Sequence, residues 1–129
     1  MELDDEVQEH LHLSGDFLRS AERDVRDGLY APARLSLLHA LELGLKAALL
    51  AKTGRPWGTH VVHGPFGQHF RGRIDERTLG RLNRLVQEYG RSRYPDWEAP
   101  TEATMNDDLT FVRSMVEETI PALVAEVHP

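Results

Sequence analysis

Three polar side chains interrupt a segment of the chain that is otherwise almost entirely apolar. Residues 35–50 contain eight leucines, and the charged or ring-bearing exceptions are His39, Glu42 and Lys46. Because successive residues of a helix are separated by about 100°, these three fall within about 60° of arc and share one face. Glu42 and Lys46 are spaced i, i+4 with the acid first, the better order for a helical ion pair.

Two later segments, which we expect to be loops, add further polar residues. If both loops meet the leucine-rich helix at one end of a helical bundle, five residues form one polar pocket. Two cations and a histidine in such a pocket suit a nucleotide or another phosphate. The alternative is structural, with Glu42 satisfying Lys46 and an arginine and an aspartate pinning the second loop. The five candidates are Glu42, Lys46, His60, Arg93 and Asp96.

A second candidate is a row of arginines between residues 75 and 91. With Glu88, they fall within about 80° of arc on a helix, and the row comprises Arg77, Arg81, Arg84 and Arg91. Such a row can serve as a basic docking face for RNA phosphates or for an acidic partner. The alternative is an ordinary solvated helix face, because this chain uses thirteen arginines and only two lysines.

The sequence gives little support to a metal, a cofactor or a catalytic residue. His60 and His63 are spaced i, i+3, which can present two imidazoles together, but no acid lies between Arg55 and Gly72 to complete a site. There is no cysteine, and no glycine-rich phosphate loop or nucleophile elbow is present. We therefore predict no metal, no cofactor and no catalytic residue.

Helices must position these residues, since apolar side chains recur at steps of three, four or seven. We predict long helices over residues 3–28, 31–53 and 75–90 and one from residue 102 onward, with a short or broken helix over residues 62–70. Pro121 should kink or interrupt the last of them. The pattern predicts an all-α fold, an up-and-down four-helix bundle with an additional short helix between the second and third long helices. We treat residues 1–129 as a single domain.

Charge and hydropathy narrow the class of protein. The net charge is −6, so broad attraction to nucleic acid is not expected, although residues 71–93 carry a local excess of bases. No apolar run is long enough for a membrane span. The acidic N-terminus differs from a signal peptide, which favours a cytoplasmic protein. The second helix is apolar nearly all round, more than a small monomer needs, and this indicates a homodimer.

Four short segments, in the right order over residues 14–128, resemble the HEPN family (higher eukaryotes and prokaryotes nucleotide-binding). Ala40-Leu-Glu42-Leu-Gly-Leu-Lys46-Ala-Ala-Leu is similar to the family's Ala-x-Glu-x-x-x-Lys-Ala-x-Leu helix. Thr59-His60 resembles its Thr-His after that helix. The stretch over residues 63–70 is similar to the Phe-Gly-x-x-Phe segment of one branch, and Arg93-Tyr94-Pro95-Asp96 matches another branch.

The resemblance implies a helical bundle that often dimerises. It also implies one of several roles: an RNase, a toxin of a toxin–antitoxin pair, or the partner of a small nucleotidyltransferase, some members being proposed to bind nucleotides. The RNase branch uses Arg, four to six residues, then His, near the start of a late helix, and Arg91 and Arg93 lack such a His. Arg34…His39 and Arg55…His60 fit the spacing elsewhere, and we interpret both as coincidences.

We therefore favour a HEPN-like binding module over an enzyme. It would be a homodimeric partner of a small nucleotidyltransferase in a toxin–antitoxin-type pair, with a nucleotide, another phosphate or RNA as the ligand. One alternative is a divergent HEPN ribonuclease with His39 or His60 as general acid or base. The other is a helical dimer scaffold without chemistry.

Overall fold

The computed structural model describes residues 3–59 and 61–127. A π-helical turn, Met115–Thr119, joins two helices near the C-terminus into one continuous rod, called here the C-terminal helix. The predicted all-α fold is confirmed, and each predicted helix is present. The helices are α1 (Leu3–Arg26), α2 (Tyr30–Thr53), α3 (His63–His69), α4 (Glu76–Arg91), α5 (Glu102–Ser114) and α6 (Ile120–Val127). Within the described ranges, no helix is both long and apolar enough to cross a membrane.

Helix α2 lies at the centre of the fold. It contacts every other helix, and 14 of its 24 residues are buried. The other helices of the same chain therefore cover most of the apolar surface of α2, which we expected a second subunit to bury. The apolar surface of α2 therefore no longer supports the homodimer prediction, which needs support from another observation.

The four main helices alternate in direction, as the contacts between them show. Arg34 near the start of α2 pairs with Glu88 near the end of α4, so α2 and α4 are antiparallel. Arg34 also pairs with Asp108 of α5, while Gly44 lies against Ile120 of α6, so α2 and the C-terminal helix run the same way. This is the predicted up-and-down bundle, with α3 as the additional short helix.

Helices α1, α2 and α6 approach one another closely at Gly44. The Ser14 hydroxyl, which is fully buried, donates a hydrogen bond of 2.7 Å to the Ala40 carbonyl. A Cβ atom added to Gly44 would lie 2.7 Å from Cδ1 of Ile120 and 3.3 Å from Oγ of Ser14. A residue with a side chain at this position would require Ile120 to shift.

Helices α3 and α4 form a short antiparallel hairpin. Phe66 and Phe70 anchor α3 in the core, with ring centroids 5.0 Å apart. The chain turns at Gly72, whose φ of 83° is a left-handed conformation that favours glycine. Asp75 then caps α4, because its carboxylate accepts a hydrogen bond of 2.7 Å from the Thr78 amide.

Pro121 explains the π-helical turn in the C-terminal helix. Proline lacks an N–H group, and its ring clashes with the carbonyl of the residue four positions earlier. The preceding turn widens, and the Ile120 amide donates to the Met115 carbonyl, five residues back. The predicted interruption is therefore a local widening, and the α-helix resumes at Ile120.

Candidate functional site

A buried arginine from α2 forms the base of a groove between α4 and α5. Arg34 is only 3% exposed. Its Nε and Nη2 atoms donate to the two carboxylate oxygens of Glu88 over 2.8 and 2.6 Å, and its Nη1 donates to Asp108 over 2.8 Å. The planar guanidinium matches a carboxylate with two parallel hydrogen bonds, the strongest class of ion pair. One side chain thus ties α2 to α4 and α5.

Burial and the two carboxylates around Arg34 determine its protonation state. Burial alone would lower the pKa of Arg34, because it disfavours the charged form. The hydrogen bonds and negative charges of Glu88 and Asp108 outweigh burial and raise the pKa above its usual value. Arg34 is therefore a fixed positive charge beneath the groove.

Arg81 on α4 continues the same network. Its Nη2 atom lies 2.8 Å from the Asp107 carboxylate and 3.0 Å from that of Asp108, and its guanidinium lies 4.4 Å from the ring centre of Phe111. Asp108 therefore accepts from both Arg34 and Arg81. Arg81 is committed to holding α4 against α5 and is no longer a free cation of the predicted docking face.

Arg84 and Arg91 lie at the mouth of this groove, which encloses about 370 Å³. Of the residues that the structure describes, four arginines and two carboxylates, those of Glu88 and Asp108, line it. Arg84 and Arg91 are exposed, and neither forms an ion pair with any residue that the structure describes. Since they are seven residues apart, they project from the same side of α4. The groove thus carries two uncommitted positive charges.

The fourth member of the predicted docking face lies outside this groove. Arg77 is exposed in the first turn of α4, where its charge acts on the capping carboxylate of Asp75. The predicted row of arginines is therefore divided by the fold. Arg81 is paired, Arg84 and Arg91 line the groove, and Arg77 lies apart at the start of the helix.

The first candidate set is not brought together in the way the sequence suggested. Glu42 and Lys46 form the expected ion pair, with 3.2 Å between Oε2 and Nζ, and the side chains are only 6% and 15% exposed. Arg93 instead lies over the ring of Tyr89, 5.5 Å from its centre, and Asp96 is exposed. His60 lies outside the described residues.

Helix directions explain the separation. The loop after α4 leaves beside the first half of α2, since Tyr89 contacts His39 with 6.2 Å between ring centroids. Residues 54–59 leave from the other end of α2, which is about 36 Å long at 1.5 Å per residue. The expectation that both loops meet at one end of α2 is wrong, because α4 is antiparallel to α2 and α3 lies between the two loops.

His39 lines a separate, smaller cleft of about 290 Å³. Its ring packs against Phe17, 4.2 Å between centroids, and faces Tyr89 of α4. Leu35 and Arg93 complete the rim. The cleft combines aromatic rings with one cation, on the opposite side of the last turn of α4 from the arginine groove.

With this geometry established, a family model described as the HEPN domain matches residues 7–121 of the 129-residue chain. This chain belongs to the HEPN family. The match covers most of α1, all of α2 to α5 and the whole arginine groove, and it confirms the resemblance drawn from the four short segments. No curated protein matches the chain.

Two Arg–His pairs, Arg34…His39 and Arg55…His60, have the spacing of the HEPN ribonuclease motif. The fold gives their side chains different surroundings. Arg34 is buried and bonded to two carboxylates, so its guanidinium is not available to a substrate. His39 faces the aromatic cleft on another side of α2. Arg55 is exposed in the loop after α2, and its spacing partner His60 lies outside the described residues.

Sequence reasoning missed the buried network of this HEPN domain. Arg34 had been considered only for its distance from His39, and Asp108 had not been singled out. One signal was available, because an arginine inside a nearly all-apolar helix must find acidic partners if it is buried. The sequence does not indicate which acidic residues pair with Arg34, because Glu88 and Asp108 are 54 and 74 residues away from it.

Proposed function

We propose that this HEPN domain is a binding module whose α4–α5 groove holds a phosphate of a nucleotide or of an RNA strand. The observation that carries the proposal is the pair Arg84 and Arg91, which are exposed and unpaired among the described residues above the buried Arg34. They lie on one side of α4 about 10 Å apart along the helix axis, so both long side chains must extend toward each other to reach the same anion.

The charges in the groove favour a phosphate over a weaker anion. Glu88 and Asp108 offset Arg34 and Arg81 by direct ion pairs. Two charges remain, on Arg84 and Arg91, which suits a phosphate group bound by two guanidinium groups. Among the described residues, no aromatic side chain lines this groove, so we take the phosphate rather than a base as the recognised group.

The Glu42 and Lys46 pair is a weaker candidate for the same ligand. Each residue neutralises the other at 3.2 Å, and a buried pair of this kind is weak support for a binding role. Arg93 and Asp96 lie at the C-terminal end of α4, away from Lys46. Arg93 extends the cationic surface toward the His39 cleft.

We further propose that the domain acts as a homodimer beside a small nucleotidyltransferase, in a toxin–antitoxin-type pair. HEPN domains commonly dimerise, and membership of the family supports this part of the proposal. Light scattering after size-exclusion chromatography measures the oligomeric state. Co-purification with the product of a neighbouring nucleotidyltransferase gene tests the partner, and a chain that elutes alone in both experiments contradicts it.

A titration of labelled ligand tests the groove. Fluorescence anisotropy of a short 5′-labelled RNA and of a labelled ATP is followed with wild type and with Arg84→Gln/Arg91→Gln. We expect the double variant to bind at least about tenfold more weakly, since two charge-assisted hydrogen bonds are lost. The matched control, Arg23→Gln/Arg26→Gln, removes two exposed arginines of α1 and should bind within about twofold of wild type.

The same samples address the ribonuclease alternative. RNA incubated with wild type and with His39→Ala is analysed for cleavage products. Intact RNA with wild type supports a binding module, whereas cleavage that depends on His39 supports the enzyme.

In the anisotropy titration, equal affinity of the Arg84→Gln/Arg91→Gln variant and wild type would remove the groove from the proposal.

A further inference from the structure

The end of α4 and the turn after it separate the arginine groove from the His39 cleft. Residues 89–94 read Tyr-Gly-Arg-Ser-Arg-Tyr, with two arginines between two tyrosines. The Tyr94 amide donates to the Arg91 carbonyl over 3.1 Å, which closes the turn. Arg91 lines the groove, whereas Arg93 lines the cleft. Because they are two residues apart, their Cα atoms lie within about 7 Å of each other, and one extended ligand can contact both.

The His39 cleft presents an apolar surface made largely of rings. Phe17, His39 and Tyr89 contribute one ring each from α1, α2 and α4. The ring centroids are 4.2 Å apart between Phe17 and His39 and 6.2 Å apart between His39 and Tyr89. Leu35 at the rim is 41% exposed, although α2 is the central helix of the fold. A flat apolar group that covers this surface gains the free energy of burial.

Arg93 adds a charged plane to the same cleft. Its guanidinium lies over the ring of Tyr89, 5.5 Å from the ring centre. Nucleobases stack on guanidinium planes as well as on aromatic rings. Among the described residues, no carboxylate lines the cleft, and that of Asp16, next to Phe17 in the sequence, is paired with Arg19. The cleft therefore suits a flat group that is attached to a negative charge, as a base is in a nucleotide.

Tyr94 provides a second aromatic surface directly after Arg93. Its side chain is 66% exposed. Surfaces that bind single-stranded nucleic acid combine aromatic side chains with a positively charged track, because every base can stack and every linkage carries a charge. The arginine groove has the charges without the rings among its described residues, and the turn after α4 supplies rings beside two further arginine positions of the track.

We propose that the ligand of the arginine groove is a single strand of RNA, which continues around the end of α4 and places one base in the His39 cleft. Phosphates contact Arg91 and Arg93, and the neighbouring base stacks on Tyr94. This inference rests on the proposed phosphate site and names a strand, not a free nucleotide, as its ligand. A strand also suits the axial distance of about 10 Å between Arg84 and Arg91, since each arginine can contact a phosphate of its own.

Two labelled strands with equal numbers of phosphates separate base contacts from phosphate contacts. One is 5′-labelled hexauridylate, and the other is its fully abasic counterpart. Fluorescence anisotropy with the full chain measures both affinities at the same salt concentration. We expect hexauridylate to bind at least about fivefold more tightly, as one stacked base provides. Equal affinities would overturn the inference and leave the phosphate proposal standing, whereas failure of both strands to bind would overturn both.

Tyrosine variants then locate the bases. Tyr89→Leu and the exposed Tyr94→Leu should each weaken hexauridylate at least about threefold and leave the abasic strand within about twofold of wild type. The matched control Trp57→Leu removes a partly buried ring from the loop after α2 and should retain the full difference between the strands. A tyrosine that only supports the fold would weaken both strands equally. That result, or an unchanged difference in both tyrosine variants, would contradict the base site.

The arginine variant distinguishes this inference from the proposal on which it rests. Arg84→Gln/Arg91→Gln should weaken hexauridylate and the abasic strand by the same factor, because it removes phosphate contacts only. If it weakens neither strand while the tyrosine variants still act, the phosphate proposal fails, and with it the path of the strand from the groove to the cleft.

Competition by uridine 5′-monophosphate tests whether the ligand is a strand. A mononucleotide has one base and one phosphate group, so it cannot follow the track from the groove across the turn. Linking several binding groups in one molecule raises the affinity by about 10²–10⁴, and we expect hexauridylate to bind at least about a hundredfold more tightly than the mononucleotide. Affinities within about tenfold of each other would assign the site to a free nucleotide and overturn the strand.

Discussion

Arg34 and Asp108 are 74 residues apart in the sequence, yet Nη1 of the arginine donates to the aspartate carboxylate over 2.8 Å. The same guanidinium holds Glu88 of α4 with two further hydrogen bonds. Helix α4 buries only Leu82 and Leu85. Leu79, Val86 and Tyr89 also pack against the core as partly buried residues, and the ionic contacts add a link from α4 to α2 and to the C-terminal helix.

Replacement of Arg34 should destabilise the protein strongly. Arg34→Met fills similar space but leaves the partly buried carboxylates of Glu88 and Asp108 without their partner. We expect a loss of about 3–5 kcal/mol in the free energy of unfolding, measured by urea denaturation. The control is Arg19→Met, which removes an exposed arginine paired with Asp16 and should change stability by less than about 1 kcal/mol.

The triple variant Arg34→Met/Glu88→Leu/Asp108→Leu should recover much of that loss. Replacing a whole buried ion network with apolar residues of similar volume is often neutral or stabilising. Urea denaturation of the triple variant beside Arg34→Met measures the recovery. If both are equally unstable, the network contributes through shape or orientation and not through unpaired charge.

Salt dependence should report how many arginines contact phosphate. Each phosphate contact releases counterions, and loss of one contact to a single strand lowers the slope of log K against log salt by about 0.7. We expect the Arg84→Gln/Arg91→Gln variant to have a slope lower by about 1.4 for a single-stranded RNA if both contacts are lost, measured by anisotropy between low and physiological salt. An unchanged slope with weakened binding would mean that the two arginines act on the fold of the groove and not on phosphate.

The fold was predictable because its helices are encoded locally. Apolar residues recur at helical spacing in every main helix, and Asp75 and Thr101 stand at helix starts, where each side chain accepts from an amide three residues on. The leucine density over residues 35–50 identified the central helix correctly, since α2 contacts all the others. Pro121 marked the interruption but not its form, because a π-helical turn depends on how the flanking buried residues pack.

The candidate site was only partly predictable, because it depends on pairings between helices. The Glu42–Lys46 ion pair lies within one helix and was found. The commitment of Arg81 to Asp107 depends on the register of α4 against α5, which no local pattern encodes. The same register decides which arginines stay exposed. Of the four arginines of the predicted docking face, only Arg84 and Arg91 therefore lie exposed in the groove.

The Asp75 cap should make part of the stability of α4 depend on pH. Hydrogen bonds from Thr78, with a smaller contribution from the charge of Arg77, lower the pKa of Asp75 below its usual value of 3.8. A lowered pKa in the folded state contributes stability above pH 3.8, which is lost as the pH falls through the folded-state value.

Asp75→Asn tests this dependence. The amide oxygen can still cap the helix, but the charge near the positive end of its dipole is gone. We expect wild type to be the more stable at neutral pH, with the difference shrinking below pH 3.8, measured by thermal melts across the acid range. Asp96→Asn, an exposed loop change of equal charge, is the control, and a difference that stays constant with pH would contradict the prediction.

Gly44 should not tolerate even a methyl group, although alanine is the better helix former. The added Cβ would lie 2.7 Å from Cδ1 of Ile120, so the end of this fully buried side chain would have to shift within the core. Overpacking of this kind costs about 1–3 kcal/mol, more than the gain of up to about 1 kcal/mol in helix propensity.

Ile120→Val removes the clashing atom, so Gly44→Ala/Ile120→Val should be more stable than the two single changes predict by addition, as measured by a double-mutant cycle in urea. Gly90→Ala, where nothing lies within 4 Å, should instead stabilise α4, and additive behaviour at Gly44 and Ile120 would show that the three helices can move apart there at little cost.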